Sequence, residues 1–229
     1  MATSMTPAPQ PQTRPLEDPL AYLPCSAIVE YTKGQVIYGQ ERLSRSLYLV
    51  IDGKVTICRK LEDGRQIIVD IYQEDEFFGE AAFVTESQNP ETAIALEDTR
   101  LMFWTIDEIE NLVAQRPRLA VALLQLFVQR SMYFGSRIES LSVDNIARRL
   151  ARALIRFSER LGCEAEDGSV EMIPFTHEFL SQYVGTQREV ITYYMTRFRR
   201  QGYLRYSRKG IQLYRDAMKD WMRQKAVAA

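Results

Sequence analysis

The sequence predicts an α+β protein in which an N-terminal antiparallel β-roll leads through a long helix into a C-terminal winged helix-turn-helix. Three observations predict it. Short β-type runs separated by turn residues fill the stretch from about Ile28 to Trp104, and helical periodicity takes over near Ile106. The charge also changes sign along the chain. Of 229 residues, those up to Leu141 hold 13 basic and 20 acidic side chains and those beyond hold 16 and 10, so a net charge of −1 conceals halves of −7 and +6. Such asymmetry points to a polyanionic partner for the second half.

Taken in order, residues 1–19 hold five of the nine prolines and no apolar periodicity, which predicts a disordered lead-in. A sensor-like β domain is expected over 20–115, with strands at 47–51, 55–58, 67–72, 92–96 and 101–104. Asp52-Gly53 and Glu62-Asp63-Gly64 lie between β-branched runs, a hairpin signal. Acidic residues at 107–110 suit the start of a first helix. A second, of about 24 residues, starts at Pro117 and fills the segment 116–141. Leu119, Ala122, Leu126, Gln129 and Tyr133 form a stripe of heptad spacing on it. That stripe either meets a second copy of the chain or packs on its own β-roll; dimerisation is the expectation adopted.

Residues 142–229 carry the chemistry. After a helix at 145–160 and a short strand near 170–174, Thr176 is placed to cap a helix that Gly185 ends. Thr186 and Glu189 have capping-box spacing and open a second helix, closed by Gly202, with Ile191, Tyr194, Met195 and Phe198 as its buried stripe. The opposite face offers Arg188, Glu189, Thr192 and Tyr193. Arg can bond guanine bidentately and Glu can accept from cytosine. Glu189 thus either reads a base or only caps its helix. Two further runs, 203–206 and 211–214, flank Ser207-Arg-Lys-Gly210, a hairpin with a basic tip. Thr176, Thr186, Gln187, Ser207, Arg208 and Lys209 are the candidate phosphate contacts, which set affinity and register while base contacts specify.

The order of these parts, with Lys33-Gly34, Leu49-Val-Ile-Asp-Gly53, Phe78-Gly-Glu-Ala-Ala82, Val184-Gly-Thr-Gln-Arg-Glu189 and Gln201-Gly-Tyr-Leu204, resembles the Crp/Fnr family of bacterial transcription regulators over about 20–215. The resemblance implies a cyclic-nucleotide-binding-like jelly roll, a long dimerisation helix and a homodimer on an inverted-repeat operator in double-stranded DNA. RNA polymerase is then a further partner. By position, Arg188 and Glu189 match the family's reading Arg and Glu, and Tyr193 replaces a second reading Arg.

For the effector, the resemblance implies a pocket around Gly79, Glu80, Ala81, Glu91 and Thr92, closed by Ser131 and Met132 on the long helix. Glu91 stands where nucleotide-binding members carry the phosphate-pairing Arg, so cyclic AMP in the usual pose is not expected, and Glu80 is left a structural role on backbone amides. An unidentified small-molecule effector, a vestigial pocket in a constitutive regulator, and a cyclic nucleotide in an altered pose remain open. Three scattered cysteines (Cys25, Cys58, Cys163) and a lone histidine, His177, support neither an iron–sulfur cluster, nor haem, nor another metal. No catalytic motif is present, so no enzyme is expected. Without a leader peptide or a spanning segment, a cytoplasmic protein with no membrane partner is expected.

Overall fold

Alternation along single strands sets the architecture of the N-terminal half. In β3 (Ser46–Asp52), Leu47 and Leu49 face the helices while Tyr48 and Val50 face the interior of the roll. The computed structural model describes residues 15–39, 44–84 and 91–226. Among these, β1 (Ile28–Tyr31), β8 (Thr99–Thr105), β3 and β6 (Phe77–Phe78) pair antiparallel in the order β1-β8-β3-β6. A second antiparallel sheet has the order β2-β7-β4-β5, from β2 (Val36–Tyr38), β7 (Glu91–Ala95), β4 (Lys54–Lys60) and β5 (Gln66–Gln73).

The two Asp-Gly signals have different outcomes. At Asp63-Gly64 the chain makes the expected hairpin between β4 and β5, with Gly64 at φ 81°. At Asp52-Gly53 it does not, because β3 and β4 belong to different sheets. Gly53, at φ 88°, turns a corner, and a Cβ there would lie 2.5 Å from the Asp98 carbonyl oxygen. Only glycine combines that conformation with that approach.

Helix α1 (Ile106–Gln115) opens with a capping box between Thr105 and Glu108. Helix α2 (Arg118–Val143) then runs 26 residues, two past the expected boundary. Its inward face corrects the sequence reading of the dimer stripe. Leu119 and Ala122 are fully buried, Leu119 against Leu47, Leu49, Phe77 and Trp104. Leu126 packs on the same cluster and the Tyr133 hydroxyl bonds that of Tyr183 at 2.7 Å, leaving Gln129 alone of the five exposed. The lead-in needs a similar correction. Residues 1–14 lie outside the described residues, but 15–19 are ordered: the Glu17 amide donates to Gln125 Oε1 at 2.8 Å, and Glu17 pairs with Arg118 at 2.5 Å.

In the C-terminal half, Asn145 caps α3 (Ile146–Leu161). A four-stranded antiparallel sheet follows the order β11-β12-β10-β9, from β11 (Leu204–Tyr206), β12 (Ile211–Leu213), β10 (Val170–Met172) and β9 (Cys163–Glu164). Around it lie α4 (His177–Val184), α5 (Arg188–Arg200) and α6 (Arg215–Ala226). Met218 and Trp221 of α6 join Leu150, Leu154, Ile191, Met195 and Phe198 in one core, which also takes in Ile68 and Ile71 of β5. The two halves therefore share buried apolar surface.

Candidate functional site

Local chemistry positions the candidate reading helix. Thr176 accepts the Phe179 amide at 3.0 Å and starts α4; Gly185, at φ 75°, ends it and lets the chain reverse. The α5 terminus is a Schellman turn: the Tyr203 amide bonds the Phe198 carbonyl at 3.0 Å and the Gly202 amide that of Arg199 at 3.1 Å, with Gly202 at φ 78°. The start of α5 differs from expectation. Gln187 is its N-cap and makes no side-chain cap bond, so Thr186 and Glu189 do not form a capping box. Glu189 instead lies exposed in the first turn, favourable beside the positive helix terminus.

Ile191, Met195 and Phe198 are buried, which forces Arg188, Glu189, Thr192 and Tyr193 together onto the outer face. Tyr193 is 60% exposed. Neither Arg188 nor Glu189 has an ion pair among the described residues, so both functional groups are available. Thr192 is engaged: its hydroxyl donates to the Arg188 carbonyl at 3.0 Å and lies 2.8 Å from His177 Nδ1. His177 also meets the Tyr206 ring edge-on at 5.5 Å, linking α4, α5 and the hairpin. Burial, with Arg188 nearby, holds its imidazole below the ordinary value. That link could not be read from sequence, since only the turn at Gly185 brings residues 177 and 192 together. At the hairpin tip the Ser207 amide bonds the Gly210 carbonyl at 2.9 Å, and Ser207, Arg208 and Lys209 are exposed. Thr176 and Gln187 are exposed and Thr186 is half-buried.

The β-roll site departs further from expectation. Gly79, at φ 92°, permits the turn after β6, where a Cβ would lie 2.7 Å from the Ser46 carbonyl oxygen. Among the described residues Glu80 bonds no backbone amide; its carboxylate pairs with Arg130 of α2 at 2.5 Å. Arg130 also donates to the Phe77 carbonyl and lies over the Tyr72 ring at 4.6 Å, with its side chain 11% exposed. Glu91 is likewise matched, by Arg59 Nη2 at 2.7 Å across the β4–β7 ladder, beside Thr92. Ser131 and Met132 are exposed on α2, and Arg130 beside them is the residue that reaches Glu80 and the Phe77 carbonyl. Sequence reasoning missed Arg130, whose only signal was a basic residue inside an apolar helix. Within the roll Tyr38, Tyr48, Tyr72 and Phe78 stack at centroid separations of 5.1–6.2 Å.

Among the described residues no group of His, Cys, Asp and Glu is placed to hold a metal ion, and no helix is long and apolar enough to cross a membrane.

The arrangement defines a class: a cyclic nucleotide-binding type of β-roll joined by a long helix to a DNA-binding helix-turn-helix. Family models agree, with the cyclic nucleotide-binding domain matching residues 28–116 and the Crp-like helix-turn-helix domain matching 148–220. The chain is 24% identical over 184 residues to a CRP-like cAMP-activated global transcriptional regulator of Mycobacterium tuberculosis, covering 80% of this chain and 82% of that protein. FixK2 from Bradyrhizobium japonicum has a similar fold, with a TM-score of 0.74 at 21% identity over 85% of this chain and 96% of that one. A CRP/FNR-family transcriptional regulator from Thermus thermophilus superposes with a TM-score of 0.62 at 28% identity, covering 86% and 98% of the two chains. The chain belongs to the Crp/Fnr family and is a DNA-binding transcription regulator with a cyclic nucleotide-binding domain.

Proposed function

We propose that the chain acts as a homodimer on an inverted-repeat operator, reading bases with Arg188, Glu189 and Tyr193 and phosphates with the hairpin tip, without a cyclic nucleotide in the usual pose. The observation that carries the reading is the exposed face of α5, where a free guanidinium, carboxylate and phenol share one side of a helix with a basic hairpin behind it. Thr192 serves that face as a positioning residue through His177. Thr186 and Gln187 flank the start of the same helix and Thr176 that of α4, and all three suit phosphate contacts. RNA polymerase is the partner expected of a promoter-bound regulator.

The β-roll supports the effector-independent reading over a ligand held there. Arg130 and Arg59 each already face a carboxylate, and a cyclic phosphate would have to displace Glu80 or Glu91 from its cation. The test is fluorescence anisotropy of full-length protein on operators selected from a random library. Arg188→Ala is expected to cost about 1–3 kcal/mol on the selected site and to relax preference at one guanine per half-site. Lys209→Ala is expected to weaken all sequences alike and lower the salt slope by about one charge. Unchanged sequence preference in Arg188→Ala refutes the assignment of the reading face. A rise in operator affinity that grows with cyclic AMP concentration refutes the effector-independent reading.

A further inference from the structure

We propose that the cleft between α2, α3 and α6 binds a small phosphorylated polyanion of nucleotide size, at a site separate from both the reading face and the β-roll interior. The cleft has a volume of about 470 Å3, within the roughly 300–1,000 Å3 range of small-molecule sites. Its walls carry six cations, Arg137, Arg149, Arg152, Arg156, Lys219 and Arg223, against two acids, Glu139 and Glu159.

Those cations are unequally engaged. Lys219 pairs with Glu159 at 2.7 Å, Arg152 with Asp144 at 2.5 Å and Arg223 with Asp220 at 3.2 Å. Arg137 donates to the carbonyls of Val69 and Tyr183. The Arg149 guanidinium has no ion pair or hydrogen bond among the described residues, and its Nε is buried without a partner. Arg156 lies 3.3 Å over the Tyr133 ring, reaches its nearest acid, Asp70, only at 3.7 Å, and also has a buried, unpartnered Nε.

Buried guanidinium nitrogens left unbonded are destabilising, and an anion that enters the cleft removes that cost. Arg149 and Arg156 are two turns apart on one face of α3, about 10 Å along the axis, so a ligand with more than one phosphate engages both. Ile155, Val184 and Met222 supply apolar wall for the body of the ligand, which a lone phosphate would leave unused. The cleft is bounded by the long helix on one side and by α3, α4 and α6 on the other. A ligand there contacts the long helix and the DNA-reading domain at once.

Isothermal titration of the full-length protein at low salt, with ATP, GTP and inorganic pyrophosphate as probes and adenosine as the uncharged control, tests this. ATP or GTP is expected to saturate at one per protomer, pyrophosphate to bind more weakly, and adenosine to give no heat. Arg149→Gln is expected to weaken nucleotide binding at least tenfold while Arg149→Lys retains most of it. Because Arg149 is unpaired, Arg149→Gln without ligand is expected to keep the wild-type Tm or exceed it and to keep wild-type operator affinity. No saturable heat from any of the three phosphates, or equal binding by Arg149→Gln, overturns the proposal. So does a partner copy filling the cleft, read as a Ser136→Cys thiol that maleimide labels in the unfolded protein but not in the native one.

Discussion

At the scale of single residues, His177 decides how the reading face responds to acid. Its imidazole is half-buried against Tyr206 and bonded to Thr192, and burial followed by Arg188 lowers its pKa from 6.5. A base depressed in the folded state is neutral there while the unfolded chain takes up a proton first. Its contribution to stability is therefore complete above pH 6.5 and is lost as pH falls below that value. DNA acts in the opposite sense, since neighbouring phosphates favour the imidazolium. The apo protein is expected to lose Tm as pH falls below 6.5 while operator affinity rises, and the salt slope to steepen by about one charge. His177→Gln is expected to flatten both profiles. Equal pH dependence in wild type and His177→Gln, measured by thermal melts and anisotropy, would show that another group titrates. Arg130 teaches a related lesson at this scale. A cation inside an apolar helix has no meaning in sequence until the fold shows that Glu80 and the Phe77 carbonyl await it.

At the scale of elements, α2 carries two apolar stripes, and heptad spacing alone points to the inner one. With Leu119, Ala122 and Leu126 committed to the chain's own β-roll, the outward stripe is Val121, Leu124, Val128, Met132, Ile138 and Leu141. Leu124 is 63% exposed, Met132 71% and Ile138 64%, and the spacing 121, 124, 128, 135, 138 is that of a coiled-coil seam with Gly135 at one contact. We therefore place the proposed dimer on this face. Leu124→Glu and Ile138→Glu are expected to shift sedimentation from dimer to monomer with monomer Tm unchanged, and to weaken operator binding by at least tenfold. Leu126→Glu is expected instead to unfold the protein, because its side chain packs beside Leu119 and Leu123. Retention of the dimer by Ile138→Glu would remove the seam. The heptad period was legible in the sequence because spacing is a local property. The direction of each stripe was not, because it depends on which face the β-roll occupies. The same divide separates the two Asp-Gly turns: both read as hairpins locally, but the twist of two facing sheets makes one of them a corner. The reading helix was legible almost residue by residue. Its buried stripe and its Gly terminators are local, and only the absent capping box and the His177–Thr192 bond required the fold.

At the scale of the whole molecule, a buried ion network determines whether the two halves behave as one unit. Asp70 of β5 is 3% exposed and takes Arg160 of α3 at 3.1 Å; the same Arg160 reaches Glu76 at 2.5 Å and the Ile71 carbonyl at 2.6 Å. Arg137 of α2 adds a second clamp, bonding the Val69 carbonyl of β5 and, at 3.0 Å, the Tyr183 carbonyl of α4. Ile68 and Ile71 lie beneath, in the core of the DNA-binding half. Removing one partner of a buried pair leaves an uncompensated charge, which costs about 3–5 kcal/mol when no other group compensates it. Arg156, at 3.7 Å from Asp70, is the nearest substitute and reduces that cost. Arg160→Met should therefore weaken docking of the reading domain more than it weakens either half, each of which keeps its own core. Scanning calorimetry is expected to show one endotherm for the wild type and two for Arg160→Met, the lower one moving toward the upper when Asp70→Asn is added, because the neutral amide no longer needs a cation. A single, unshifted endotherm in Arg160→Met would mean that the apolar contact of Ile68 and Ile71 alone couples the halves. The cleft between α2, α3 and α6 shares Arg137 and Arg156 with this junction, so the same variant is also expected to reduce the Tm gain from ATP without abolishing it, which separates docking of the domains from the anion contact at Arg149.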